Sequence, residues 1–582
     1  MNGDWAFAFD DEDVGLARRW HAQVAREIES PNAPLNRRII IPFCHQAELS
    51  GIGDPSVHDV VWYARTFDTG DWNADADSML LHFGAVDYWA SVWVNGVEVA
   101  KHEGGHTPFT ADITAALVEG ENNVVVVRAE DQAMNPAIPR GKQAFTPEPA
   151  HIFYTRTTGI WQTVWLEPAS PTRLEYIRLT PSVDSESLGI QEQIVGFRPG
   201  LALEVEIRFR GEMMLDCRVP VPSALSGQEF CLVDDHNRDL HFWSPAEPNL
   251  YDVRLSLRAQ DGRILDTVES YFGMRKIEQR DGKVYLNREL LFQRLILDQG
   301  YFPGGFLTAP TDDALREDIE LAKAMGFNGA RKHQKVEDPR WLYWADRLGF
   351  LVWGEMANAY EYSEEYKRRI AGEWTAVIER DYNHPCVIAW VPINESAGGR
   401  ATEAGPIQVE HVGAMYELTR ELDSTRLIVS NDGWESVGGD LCTIHDYGLA
   451  AELERRFHSL GAALAGGHSS RPVYAPGFGY DGQPIVVSEF GGLAIADKDQ
   501  DQWGYVVVRD EGELLEQYDA LVSALVQSPL VAGFCYTQLT DVEQEVTGLA
   551  TEDRTPKADL AKIRAITTQA RRISDDPSRT LT

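Results

Sequence analysis

The sequence predicts a multidomain protein that combines β and α/β parts: a jelly-roll β-sandwich, an immunoglobulin-like β-sandwich and a C-terminal (β/α)8 barrel of the TIM type. The chain has 582 residues, which is too long for a single hydrophobic core. Short alternating strands fill the first half, whereas strands and helices alternate from about residue 276 onward. We therefore expect domains at residues 1–168, 169–275 and 276–582.

The composition argues against several classes of function. Hydrophobic content of 43% and charged content of 25% are ordinary for a globular protein, and the formal net charge is −37. That charge argues against nucleic acid and anionic membranes as partners. The N-terminal residues lack a secretory-signal pattern, and no apolar run approaches the roughly 18 residues of a membrane span. The six cysteines are scattered without C-x-x-C pairs. We expect a cytoplasmic protein whose cysteines are reduced core residues.

The first two domains show strand patterns. Segments such as VVWYARTF and YWASVWVNG alternate or run apolar, and Asn95-Gly96 is a typical hairpin turn because both residues tolerate positive φ. This spacing predicts a jelly roll in the first domain. The second domain holds about 100 residues without a helical pattern, which predicts a small immunoglobulin-like sandwich. We expect the second domain to carry no chemistry and to hold the first domain against the third.

The third domain contains eight strand candidates with helices between them, as a (β/α)8 barrel requires. The candidates are LLFQRLILD, FNGARKH, FLVWGEM, VIAWVPINE, RLIVSND, LCTIHDYG, PIVVSEFGG and AGFCYTQLTD. Between the first two, Thr311 is placed to cap a helix that Gly326 ends.

Two of these strands end on a glutamate. VIAWVPINE is a continuous apolar run, typical of a strand buried on both faces, and it ends at Glu395. PIVVSEFGG carries Glu489 at the same end. By strand count these residues end strands four and seven, at the rim where barrels of this kind place their chemistry. Retaining glycosidases use such a pair, one carboxylate as nucleophile and the other carboxyl as general acid and base.

With these motifs in place, the chain resembles glycoside hydrolase family 2, which includes β-galactosidases, β-glucuronidases and β-mannosidases. The resemblance covers nearly the full length. It rests on AVDYWASVWVNGVEVAKHEGGHTPFTADIT and TTGIWQTVWLE in the first domain, on WSPAEPNLYDVRLSL and FGMRKIE in the second, and on Asn394-Glu395 and SEFGG in the third. It implies a sugar-binding-like first domain, with Glu395 as acid/base and Glu489 as nucleophile.

The resemblance also implies substrate-binding positions near the two glutamates. Asn394 is placed for the sugar 2-hydroxyl. Arg331 belongs to an N-x-x-R element, and it is either a sugar ligand or a structural partner of Glu355, the acid at the pocket floor. The family usually has a histidine three residues after this arginine, whereas His333 comes two after it and Gln334 three after it. Which of the two faces the sugar is left open.

Strands five to eight supply further candidates. Tyr447 resembles the strand-six tyrosine that hydrogen-bonds the nucleophile. His445 is either a site residue or a core histidine, and Trp434 and Trp353 are either stacking platforms for a sugar or packing residues. On strand eight, where the family often carries a tryptophan, Thr537 stands beside Gln538, which we include among the substrate-binding candidates.

Two departures from the family pattern narrow the expected activity. The segment after strand eight, EQEVTGLATEDRTPK, lacks the N-x-K element that binds the sugar carboxylate in glucuronidases. Ala359 and Glu361 replace the magnesium ligands of some β-galactosidases, so we expect neither metal nor cofactor. Arg140, Lys142 and Gln143 lie in a long loop of the first domain. Whether this loop reaches the barrel mouth and contacts the substrate is left open.

The expectation is therefore a retaining exo-glycosidase that removes a neutral terminal sugar, with β-galactoside as the default. A furanosidase acting on galactofuranose or arabinofuranose, a β-mannosidase, a transglycosylase and a non-catalytic carbohydrate-binding protein are the alternatives. The expected partner is a small glycoside or oligosaccharide, and a homo-oligomer is left open.

Overall fold

The computed structural model describes residues 1–28, 30–70, 72, 77–118, 122–233, 239–395, 406–467, 471–495 and 502–570. Separate hydrophobic clusters fill the first domain, the second domain and the barrel. In these residues, no helix is both long enough and apolar enough to cross a membrane.

The first domain is a β-sandwich. Its strands and helix are β1 (Gly3–Phe9), α1 (Trp20–Glu27), β2 (Arg37–Ile41), β3 (Val60–Phe67), β4 (Ser78–Phe83), β5 (Val86–Asp87), β6 (Trp89–Val94), β7 (Val97–Glu103), β8 (Phe109–Asp112), β9 (Asn123–Glu130), β10 (Gly159–Ile160) and β11 (Val164–Ala169). A six-stranded sheet, β2-β1-β3-β9-β6-β7, faces a three-stranded sheet, β11-β4-β8. Phe7 and Val127 of the larger sheet share one core with Leu81 and Phe83 of the smaller one.

The second domain is a smaller sandwich of seven strands. These are β12 (Arg173–Ser182), β13 (Ser187–Val195), β14 (Ala202–Phe209), β15 (Glu212–Pro220), β16 (Leu225–Cys231), β17 (Tyr251–Arg258) and β18 (Ile264–Phe272). The sheets have the orders β12-β13-β16 and β15-β14-β17-β18. Burial alternates strictly along β14, as expected for a strand with one face on the core. A three-stranded meander, β19 (Ile277–Arg280), β20 (Lys283–Leu286) and β21 (Glu289–Leu291), leads into the third domain.

The third domain is the barrel. Its elements are β22 (Gln293–Asp298), α2 (Asp312–Ala324), β23 (Gly329–Lys332), α3 (Pro339–Leu348), β24 (Leu351–Glu355), α4 (Glu364–Asp381), β25 (Val387–Val391), α5 (Pro406–Leu422), β26 (Leu427–Ile428), β27 (Cys442–His445), α6 (Ala450–Arg456), α7 (Leu460–Leu464), β28 (Ile485–Gly491), β29 (Leu493–Ala494), β30 (Val506–Val507), α8 (Glu511–Val526), β31 (Val531–Thr537) and α9 (Leu560–Thr567). Eight parallel strands follow the order β26-β25-β24-β23-β22-β31-β28-β27.

The predicted fold class is confirmed, and local sequence explains its details. Every residue of β25 and β28 is buried, as their unbroken apolar runs indicate. Thr311 accepts a hydrogen bond from the backbone N–H of Ala314 at the start of α2, and Gly326 has a φ of +95° just beyond the end of α2. By strand order, Glu395 follows barrel strand four and Glu489 lies on strand seven.

One expectation about the cysteines was wrong in part. Four of the six are buried, but Cys217 is half-buried and Cys231 is exposed. Cys217 packs against the core of the second domain from a strand that is itself only partly covered. Cys231 follows the buried Phe230, so the period-two pattern of its strand turns it toward solvent.

Candidate active site

The two glutamates lie at the same rim of the barrel. After β25 the chain turns at Glu395, which has a φ of +54° and whose backbone N–H donates to the carbonyl of Asp432 at 2.9 Å. This turn leaves the Glu395 side chain 34% exposed, whereas that of Glu489, still within β28, is only 7% exposed. The more accessible carboxyl group is suited to exchange protons with water, and the more buried one to a fixed position.

His445, at the end of β27, lies between the two glutamates. Its Nδ1 is 2.7 Å from Oε1 of Glu395 and 3.5 Å from Oε2 of Glu489. One carboxylate oxygen of each glutamate lies within 4.8 Å of the other. Retaining glycosidases hold their carboxyl groups about 5–5.5 Å apart, and inverting enzymes roughly 6.5–9.5 Å apart. The separation therefore fits direct attack on the sugar by one carboxylate.

The surroundings of Glu489 keep it ionised. Arg331 Nη1 donates to its Oε1 at 2.8 Å, and the Tyr447 hydroxyl donates to its Oε2 at 2.7 Å. Burial by itself raises the pKa of Glu489, but the charges of His445 and Arg331 outweigh burial and lower that pKa to about 2. A carboxylate with such a low pKa is a nucleophile throughout the neutral range.

Arg331 joins the floor of the site. Its side chain is fully buried, and all three guanidinium nitrogens have protein partners. Nε lies 2.6 Å from Glu355, Nη1 contacts Glu489 and Asp432 at 2.8 Å each, and Nη2 donates to Asn394 Oδ1 at 2.7 Å. Because these contacts use the planar fork of donors, Arg331 fixes the side chains that face the substrate. Arg331 was considered either as a sugar ligand or as a structural partner of Glu355, and these contacts favour the second role.

Asp432, at the end of the segment RLIVSND, was missed by the sequence reasoning. It accepts a hydrogen bond from Ser488 Oγ at 2.7 Å and lies 3.2 Å from His445 Nε2. Burial lowers the pKa of His445, but the charges of Glu489 and Asp432 raise it to about 10. His445 is therefore an imidazolium between three carboxyl groups. The position of Asp432 at a strand end was the signal that could have found it.

The two candidates after strand two have different surroundings. His333 Nδ1 lies 3.0 Å from Glu355 Oε1 and 4.0 Å from Glu489 Oε1. Burial and the charge of Arg331 lower the pKa of His333 well below its ordinary value, so its ring is neutral. Gln334 Oε1 instead accepts from the backbone N–H of Asn358 at 3.0 Å. Of the two, His333 lies beside the nucleophile.

The aromatic candidates also separate. Trp353 is fully buried inside the barrel and donates to Gln293, so it packs. Trp434 is half-buried, with its ring centroid 5.6 Å from that of His445. Tyr505 was missed by the sequence reasoning: it is 44% exposed and stacks on Tyr447 with centroids 3.5 Å apart. Trp434 and Tyr505 can therefore offer an aromatic face to a sugar.

The first-domain loop reaches the barrel rim. The backbone N–H groups of Arg140 and Gly141 donate to the carbonyl of Asn358 at 3.1 and 3.0 Å. The Arg140 guanidinium is buried and bonds to backbone carbonyls of its own loop, and Gln143 Nε2 donates to Asp87. Lys142 lies between them in the sequence and is half-buried. Within the described residues its side chain makes neither kind of hydrogen bond.

Two groups of side chains in the described part of the chain lie close enough to share a metal ion. In the first, Glu395, His445 and Glu489, both ring nitrogens of His445 face carboxyl groups, and the raised pKa keeps them protonated. In the second, the Asp346 carboxylate already faces His384 and accepts from a tyrosine hydroxyl and a backbone N–H. The donor chemistry of both groups therefore favours protons over a metal.

Comparison with known proteins identifies the family. Sequence models of glycosyl hydrolases family 2 match the chain in three consecutive parts. The sugar binding domain matches residues 1–135, a further family 2 domain matches residues 172–275, and the TIM barrel domain matches residues 308–571.

Curated relatives carry two activities. A beta-glucuronidase from Paenibacillus borealis is 26% identical, over 97% of this chain and 96% of the relative. A beta-galactosidase from Thermoanaerobacter pseudethanolicus is 31% identical over 63% of this chain, and the match spans about half (48%) of that relative. The chain is thus similar to enzymes that act on charged and on neutral sugars.

Solved structures agree on the fold. A b-glucuronidase from Ruminococcus gnavus in complex with D-glucuronic acid superimposes with a TM-score of 0.78 at 18% identity, over 97% of each chain. An uncultured Clostridium sp. beta-glucuronidase gives 0.77 at 20% identity. The three consecutive family matches show that the chain belongs to glycosyl hydrolase family 2 and is a glycoside hydrolase.

Proposed function

We propose that the protein is a retaining exo-glycosidase that releases a neutral terminal sugar, with Glu489 as nucleophile and Glu395 as general acid and base. The observation that carries this proposal is the short separation, within 4.8 Å, between oxygens of the two carboxyl groups. A gap of this size leaves no room for a water molecule between a carboxylate and the sugar. The low pKa of Glu489 and the greater exposure of Glu395 support the division of roles.

The reaction then proceeds in two displacements. Glu489 attacks C1 of the terminal sugar, the C1–O bond to the leaving group breaks, and Glu395 donates its proton to the departing oxygen. In the second step Glu395 takes a proton from water, whose oxygen attacks C1 and releases Glu489. Arg331 and Tyr447 hold the Glu489 carboxylate in place through both steps. Asn394, held by Arg331, donates to the sugar 2-hydroxyl.

The nature of the sugar has two candidate answers. β-Galactosides and the furanosides of galactose or arabinose are neutral, and they suit a site in which the Arg331 guanidinium is taken up by protein groups. A glucuronide is the second candidate, because the Paenibacillus borealis relative that matches nearly the full chain is named as a beta-glucuronidase. A screen of nitrophenyl glycosides ranks these substrates directly.

Stereochemistry tests the proposed mechanism. With the preferred nitrophenyl glycoside, proton NMR of the first-formed sugar should show the same anomer as the substrate, before mutarotation. Retention follows because two successive displacements at C1 restore the starting configuration. An inverted first product would overturn the assignment of Glu489 as nucleophile.

A further inference from the structure

The first domain brings Lys142 to the barrel mouth. A Cβ on Gly141, which has a φ of +64°, would lie only 2.0 Å from the carbonyl oxygen of Gln334, so the loop backbone touches the barrel at this point. On the other side, the Tyr154 backbone N–H donates to the Lys142 carbonyl at 2.8 Å. The position of Lys142 is therefore fixed from both directions.

Lys142 is a cation for which the described residues provide no ion-pair partner. Among the residues that the structure describes, no carboxylate lies within ion-pair distance of its ammonium group. Burial raises the pKa of Glu545 above its ordinary value, and the charge of Lys142 opposes that rise. The pKa values of Glu489 and His333 are both lowered, and the charge of Lys142 contributes to each lowering. The ammonium thus acts across the site on the nucleophile and on a residue that follows strand eight.

Glu545 lies in the loop after β31 and is buried. Its carboxylate accepts from the Tyr154 hydroxyl of the first domain at 2.6 Å and from Thr547 Oγ1 at 3.2 Å. Thr547 Oγ1 in turn accepts from Gln538 Nε2 at 3.1 Å. Gln538 is 1% exposed, and its Oε1 has no hydrogen-bond partner within the described residues. A buried acceptor of this kind is costly unless a ligand supplies the missing donor.

We propose that Lys142 and Glu545 form a binding site, shared between two domains, for hydroxyl groups of the terminal sugar, with Gln538 Oε1 as a further acceptor. This inference rests on the proposed glycosidase function and extends it to specificity. The ammonium donates to sugar oxygens, whereas Glu545 and Gln538 accept from sugar hydroxyls. A uronate would place its carboxylate beside the one Lys142 ammonium but also close to Glu545 and Glu489. Repulsion from these two carboxyl groups then opposes a single attraction, so the site selects neutral sugars.

The main test removes the ammonium group. Lys142→Met should lower kcat/KM for the preferred neutral nitrophenyl glycoside at least about tenfold, equal to about 1.4 kcal/mol of transition-state binding. For at least one monodeoxy analogue of that sugar, kcat/KM should be the same with the variant as with the wild-type enzyme, because the hydroxyl that Lys142 binds is already absent. The melting temperature should stay unchanged. Lys101→Met, at an exposed first-domain lysine, is the matched control.

A second variant tests Glu545. The wild-type enzyme should prefer the neutral glycoside over the matching uronide by at least about a hundredfold, and Glu545→Gln should shrink that ratio at least about fivefold. Equal wild-type turnover of the uronide would overturn the inference.

Different results would contradict the glycosidase function and the shared binding site. If the wild-type enzyme cleaves no nitrophenyl glycoside, the proposed function itself is wrong. If it cleaves neutral glycosides but Lys142→Met behaves like Lys101→Met, or all deoxy analogues lose equally in the variant, only the shared binding site is wrong.

Discussion

The two halves of the site are built differently. On the barrel half, Glu489, Arg331 and His445 lie on or directly after strands, and each has two or more charged partners. On the loop half, Lys142 and Gln538 lie in segments between elements. Among the described residues, Gln538 Oε1 has no hydrogen-bond partner and Lys142 has no ion-pair partner. The contrast indicates that the two halves of the site have different functions. Bond making needs groups with fixed geometry, whereas recognition needs groups whose partners the substrate supplies.

The largest expected effect comes from removing the nucleophilic carboxylate of the barrel half. Glu489→Gly should lower kcat by roughly 10⁴-fold or more, since no other described group can attack C1. Added azide should restore part of the activity and give an inverted glycosyl azide, because the small nucleophile enters the space of the lost carboxylate. Product binding, which depends on the loop half, should change little. Kinetics with and without azide, together with NMR of the adduct, measure all of this.

Glu395→Ala is the companion variant. Substrates with good leaving groups should still complete the first step, since they need no proton from Glu395. If azide instead rescued Glu395→Ala with an inverted product, the roles of the two glutamates would be exchanged.

The same contrast decides what the sequence could predict. The barrel half was accessible because apolar runs locate the strands, and acids at their ends share a rim. Even there, the sequence did not reveal that Arg331 would bind three carboxylates at once, since such contacts depend on side-chain geometry. The loop half was accessible only in part: the sequence made Gln538 a substrate-binding candidate and left open whether the loop of Lys142 reaches the barrel mouth. The bond between Tyr154 and Glu545 joins residues 391 positions apart, and no periodicity encodes it. Loop positions require the packing of whole domains.

An effect of intermediate size is expected at His445, one of the positively charged residues of the barrel half. The pKa of His445 is raised from 6.5 to about 10 in the folded state. The stability that it contributes is therefore fully present below pH 6.5 and is lost as the pH rises toward 10. His445→Gln should remove this loss and lower kcat/KM roughly tenfold to a hundredfold, because Glu489 and Asp432 lose a neighbouring positive charge. Melting temperatures from pH 6 to 10 measure the first effect and steady-state kinetics the second.

His458→Gln is the matched control, since His458 is exposed and outside the site. It should keep the wild-type pH dependence and rate. A wild-type melting temperature that does not decline more steeply than that of His445→Gln above pH 6.5 would contradict an imidazolium at position 445.

The smallest expected effect concerns metal. Prolonged dialysis against a chelator should leave kcat/KM within about twofold, a difference near the limit of the measurement. The reason lies in the chemistry of the barrel half: His445 presents protonated nitrogens to Glu395 and Asp432, so its imidazolium supplies a positive charge where a divalent ion would otherwise bind. Ala359, which is fully buried, offers no ligand atom in its side chain. A large loss of activity that magnesium restores would show that the barrel half depends on a cation from solution. The contrast would then fail, because the barrel half, like the loop half, would need a partner from outside the protein.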